Sequence, residues 1–123
     1  MSHNTTATAT AYFEAWTSGD LDTTTQLIAD DIVFNAPGAV SGHGAEAFRA
    51  FTARFLDILR SATMIAAYGD EGGAVLFYKT ETHPVPLSFV AEYLQIKDGK
   101  VTSTHFVFDT APYTAAKLPR TEL

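Results

Sequence analysis

Glu92 is the residue of this chain whose type and setting most invite chemistry. Around it runs Val90-Ala91-Glu92-Tyr93-Leu94-Gln95-Ile96, and two-residue alternation puts Val90, Leu94 and Ile96 on its side of the pleat. Phe89, Ala91, Tyr93 and Gln95 take the other side. A carboxylate with three aliphatic neighbours is poorly solvated, which raises its pKa and suits it to hold or move a proton near neutral pH. Two plainer readings stand beside this one: an ion pair with Lys79 on the neighbouring strand, or a place at the sheet rim.

Tyr12 is the second candidate. Tyr12, Phe13 and Trp16 are spaced to share one helical face. Tyr12 is then either a phenol donor to a reacting group or a core aromatic beside Trp16. The four histidines do not cluster. His3 lies near the start, His43 in a loop, and His83 before Pro84. His105 falls mid-strand on the face of Ser103 and Val107, opposite Thr104, Phe106 and Phe108. No two-His-one-carboxylate spacing, phosphate-binding glycine loop or strand-turn-helix serine is present, so no metal and no cofactor is expected.

These candidates need elements to hold them. Tyr12 and Trp16 fall on a helix over Ala11 to Thr17, closed by Gly19, with Asp20 capping a second helix to Ala29. A strand over Asp31 to Ala36 is stopped by Pro37-Gly38, and a loop from Ala39 to Gly44 follows. The strongest helix starts near Ala45, where Phe48, Phe51, Phe55, Ile58 and Leu59 form one stripe. After Arg60 the period changes to two. Strands are expected over Thr63 to Tyr68, Ala74 to Thr82, Leu87 to Lys97 and Lys100 to Asp109, with turns at Asp70 to Gly73, His83 to Pro86 and Asp98-Gly99. Helices first and strands last predict an α+β fold: a curved, mostly antiparallel sheet wrapped as a cone-like half-barrel on the long helix, with two helices before it. Residues 1–123 read as one domain, with a core over about 8–110 and a tail over 111–123.

The chain has 123 residues, 14 acids against 8 Lys+Arg, and a net charge of −6. No basic stripe is present, so nucleic acid and anionic membranes are not expected partners. No apolar run reaches the roughly 20 residues of a membrane span. Zero cysteines exclude disulfides and thiolate zinc sites and fit a cytoplasmic location. Met1 to Ala11 does not read as a signal peptide.

Several pieces recur in one order: Tyr12…Trp16, Gly19-Asp20-Leu21-Asp22, Asp30-Asp31-Ile32-Val33-Phe34, Ser41-Gly42-His43-Gly44, and Asp98-Gly99-Lys100-Val101. In that order and spacing the chain resembles the nuclear transport factor 2-like superfamily, and within it the ketosteroid isomerase and SnoaL-like polyketide cyclase branch. The resemblance implies a conical cavity between the sheet and the helices, and homodimers through the sheet's other face. It implies that Tyr12 stands at the oxyanion-hole tyrosine and Glu92 at the protonated aspartic acid of the same hole. The isomerase's general base would fall at Ala36, which cannot move a proton.

Three functions follow. The first is an isomerase, cyclase or hydratase in which Tyr12 and Glu92 stabilise an oxyanion or transfer a proton. The second is a non-catalytic binder of a small apolar or aromatic molecule. Its expected contacts are Trp16, Phe51 and Phe55 on the helices, Phe34 and Ala36 on the first strand, and Val90, Thr104, Phe106 and Phe108 on the later strands. The third is a dimerisation module with a collapsed cavity. The residues favour a ligand pocket and leave turnover open. The Glu92 side chain is expected to lie in the pocket, within direct or one-water hydrogen-bond reach of Tyr12.

Overall fold

The computed structural model describes residues 4–116. In chain order they form α1 (Thr5–Thr17), α2 (Leu21–Gln26), β1 (Ile28–Ala36), β2 (Val40–His43), α3 (Ala45–Leu56), β3 (Leu59–Gly69), β4 (Gly73–Thr82), β5 (Ser88–Lys97), β6 (Lys100–Val107) and α4 (Ala111–Ala115). The six strands make one open sheet in the order β2-β1-β6-β5-β4-β3. Every neighbouring pair is antiparallel except β1 with β6. The fold is α+β, with a curved, unclosed sheet over helices. Register shifts interrupt the β3–β4, β5–β6 and β1–β6 ladders. Such bulges bend strands and supply local twist, which is how a sheet curves around a core.

Local chemistry sets the element ends. The Asn4 side chain caps α1 by accepting from the Ala7 N–H at 2.9 Å. Asp20 does the same for α2, accepting from the Thr23 N–H at 3.1 Å. Asp98 and Gly99 both take positive φ, at 54° and 75°, the conformation a two-residue hairpin between β5 and β6 requires. β4 alternates buried and exposed residues along nearly its whole length. Leu76 and Tyr78 thereby face the core with Ile32, Phe34, Leu94 and Val101, beneath α1 and α3.

Three expectations about the elements need correction. The second helix stops at Gln26, not Ala29, because the Leu27 carbonyl accepts from the Val101 N–H at 2.8 Å and Ile28 pairs with Val101. Sheet pairing wins over a segment whose threonines are weak helix formers. The expected loop before α3 contains β2, which pairs antiparallel with β1. A methyl group on Gly42 would overlap the Phe34 ring, so only glycine allows this approach. Finally, α3 ends at Leu56. Ile58 and Leu59 leave the helical stripe; the Ile58 carbonyl accepts from the His83 N–H at 2.9 Å, and Leu59 pairs with Thr82. In the expected tail, Ala111–Ala115 is a short helix, and residues 117–123 lie outside the described residues.

Candidate functional site

Glu92 is fully buried on the inner face of β5. Directly across from it stand Leu76 on β4 and Phe106 on β6. The residues that satisfy it are therefore diagonal neighbours, Tyr78 on one side and Thr104 on the other. The Tyr78 hydroxyl donates to Oε1 at 2.8 Å, and the Thr104 hydroxyl donates to Oε2 at 2.7 Å. From above, α1 lowers Tyr12, whose hydroxyl donates to Oε2 at 2.6 Å. Lys79 makes no pair with Glu92, because alternation turns it to the exposed face of β4.

Two opposed effects act on the carboxyl. Burial pushes its pKa up, while the bonds from Thr104, Tyr12 and Tyr78 pull it down, and the balance is upward. The phenols of Tyr12 and Tyr78 are pushed well above their ordinary range by burial and by the charge of Glu92 beside them. Three donors match an ionised carboxylate. When Glu92 takes a proton, one hydroxyl must turn to accept it and its own hydrogen is freed. Tyr12 and Tyr78 both border a cavity.

That cavity has a volume of about 400 Å³. Trp16 of α1, Phe51 and Phe55 of α3, Ala36 of β1, Val90 of β5, Phe106 of β6 and Phe108 line it. Three residues expected in the site stand behind the wall. Glu92 and Thr104 are covered by the phenols and by each other, and neither lines the cavity. Phe34 is packed between Phe48, at 5.3 Å between ring centroids, and Phe51 at 5.0 Å, and belongs to the core rather than to the cavity lining. Ala36 leaves the wall without a titratable group at that point; Asn35 is half-buried and Asp31 exposed. His43, His83 and His105 are exposed, and His3 lies outside the described residues. Among the described residues no cluster of histidine and carboxylate side chains could hold a metal ion, and no helix is long and apolar enough to cross a membrane.

Sequence reasoning missed Tyr78, Thr52 and Thr80, all on the cavity wall. The alternation Leu76-Phe77-Tyr78-Lys79-Thr80 already puts Tyr78 and Thr80 on one face. Which face meets Glu92 depends on the register between β4 and β5, which no single strand encodes. Thr52 sits one turn after Phe48 on the apolar stripe of α3, and its polar type hid it.

Residues 9–104 match the model of the SnoaL-like domain family. A solved protein from Kribbella flavida DSM 17836 is 42% identical, covers 96% of this chain and 97% of its own, and superposes with a TM-score of 0.86. An NTF2-like protein from Cytophaga hutchinsonii ATCC 33406 shares the fold at 14% identity and a TM-score of 0.78, over 93% of this chain and 97% of that one. A protein with a ketosteroid isomerase-like fold from Catenulispora acidiphila DSM 44928, solved in complex with trimethylamine, does so at 21% identity and a TM-score of 0.76, over 94% and 96%. No curated protein matches the chain. The match over most of the sequence and the open sheet curved around a buried Glu92 agree: the chain belongs to the SnoaL-like domain family.

Proposed function

We propose that this protein binds a small apolar or aromatic molecule in its cavity, and that Tyr12, Tyr78 and Glu92 form a hydrogen-bonding, proton-holding floor beneath it. The observation that carries this reading is the pair of phenols on the cavity wall, both tied to one fully buried carboxyl. A carboxyl in such a place stabilises little by itself; its use is to tune what the phenols offer. The arrangement suits isomerase, cyclase or hydratase chemistry, in which a carbonyl oxygen gains charge and a proton moves. Binding of naphthalene by calorimetry tests the pocket. Wild type is expected to bind it, and Val90→Trp, which fills the cavity, is not. If wild type ignores naphthalene as the filled variant does, the reading is wrong.

Ala36 favours a second reading, binding without turnover, since no base stands where the resemblance expects one. We further propose a homodimer through the outer face of the sheet. Phe89 and Tyr93 of β5, Phe77 of β4 and Val107 of β6 are exposed there, with the Phe77 and Phe89 rings stacked at 5.9 Å. Sedimentation equilibrium should give twice the 13.3 kDa of one chain. The lack of cysteine supports a reducing, cytoplasmic location.

A further inference from the structure

The cavity wall carries one charged residue. Arg54 of α3 borders the cavity, and among the described residues no carboxylate does. The chain has 14 acids against 8 Lys+Arg, so a charge placed there without purpose would more often be an acid.

The helix fixes where Arg54 stands. It lies three residues after Phe51, on the same side of α3, and both border the cavity. Phe48, earlier on the helix, meets the floor residue Tyr12 at 6.2 Å between ring centroids. From Phe48 to Arg54 the helix advances about 9 Å. Phe48 is buried, Phe51 and Phe55 are half-buried, and Arg54 is exposed. The phenol floor is therefore the closed end of the cavity, and Arg54 stands at its mouth.

The charge of Arg54 is unspent. Arg49 on the same helix pairs with Asp22 at 2.9 Å, and among the described residues Arg54 makes no ion pair. A cation in the last turn suits the carbonyl end of a helix, and an arginine stem can lie on apolar surface with its head in water. Neither effect occupies the guanidinium's hydrogen-bond donors. The two ends of the cavity then differ in what they accept. At the floor, Glu92 stands behind Tyr12 and Tyr78, and a second carboxylate would lose its water beside a like charge. At the mouth, a carboxylate keeps water on one side and meets a planar fork that binds two oxygens. An apolar acid can seat in one direction only.

We propose that the ligand is an apolar carboxylic acid, bound with its body in the cavity and its carboxylate on Arg54 at the mouth. This rests on the reading of the cavity as a ligand pocket and narrows the class of molecule it takes.

The probes are 2-naphthaleneacetate and 2-naphthaleneacetamide, which have nearly the same shape and differ in charge. Calorimetry in dilute neutral buffer should show wild type binding the acid about fivefold more tightly, the worth of a largely exposed ion pair. Salt at about 0.5 M should remove most of that preference, a response read on the wild-type protein alone. Arg54→Gln should bring the two affinities together, and Arg54→Glu should favour the amide. Arg49→Gln takes away a cation of the same helix that is already paired, and should leave the preference intact. Equal affinity of wild type for the two probes overturns the carboxylate subsite. So does a preference that survives Arg54→Gln, or one that Arg49→Gln removes as fully. In each of these cases both probes bind and the pocket stands. If naphthalene binds and neither probe does, the subsite alone falls. If none of the three binds, pocket and subsite fall together.

Discussion

The floor and the wall of the cavity hold polar side chains of the same kinds in opposite conditions. On the floor, Tyr12, Tyr78 and Thr104 all spend their hydroxyls on Glu92. On the wall, the side-chain polar atoms of Trp16, Thr52 and Thr80 are also buried and have no hydrogen-bond partner among the described residues. The first set is finished by folding and holds the sheet and α1 together. The second costs stability, because a buried donor without a partner forfeits its hydration.

The comparison breaks most visibly at its centre. Glu92→Ala strips the partner from three buried hydroxyls and leaves a hole, and should lower unfolding free energy by about 3 kcal/mol. Urea denaturation reads it directly; a loss under about 1 kcal/mol would mean the floor is not the tie described here. A second effect is the pH dependence. The Glu92 carboxyl is raised above its ordinary 4.5 by burial, so the folded chain holds that proton more tightly than the unfolded one. Its contribution to stability is complete below the unfolded value and is lost as pH rises through the folded value. Glu92→Gln cannot titrate, so wild type should lose stability relative to this variant as pH climbs from about 5 to 8. Parallel profiles would show a carboxyl with an ordinary pKa.

The comparison sharpens with one substitution made in each layer. Thr104→Val removes a donor that Glu92 uses and should cost about 1.5 kcal/mol. Thr80→Val replaces a partnerless hydroxyl with a methyl of the same shape, and should be neutral or stabilising by about 0.5 kcal/mol in the absence of ligand. Two identical chemical changes with opposite signs, read by the same denaturation experiment, are the cleanest check on the contrast. Equal losses at Thr104 and Thr80 would erase it.

Much of the fold was legible because its signals are local. Alternation in Ala74 to Thr82 and Leu87 to Lys97 drew β4 and β5 nearly to the residue, and Asp98-Gly99 marked their hairpin successor. The same alternation put Glu92 among aliphatic residues. What escaped depends on partners. β2 was hidden because three of its four residues are exposed, so no periodic burial marks it. The end of α3 was overrun because Ile58 and Leu59 extend a helical stripe by accident of spacing while their backbones bond to His83 and Thr82. The hydroxyl partners of Glu92 were half seen. Tyr12 came from resemblance, but Tyr78 and Thr104 meet Glu92 only through the registers of β4 and β6 on β5.

Those registers give Glu92 a role during assembly that is separate from any ligand. Its donors lie 80, 14 and 12 residues away along the chain. A slip of one residue in β4 would swing Tyr78 to the solvent face, and the same slip in β6 would swing Thr104. Either error buries a carboxyl short of a partner, a cost added to that of turning the strand's apolar residues out to solvent. Glu92 thus acts as a proofreader of strand pairing: the correct ladder is the one in which three distant hydroxyls reach the same two oxygens.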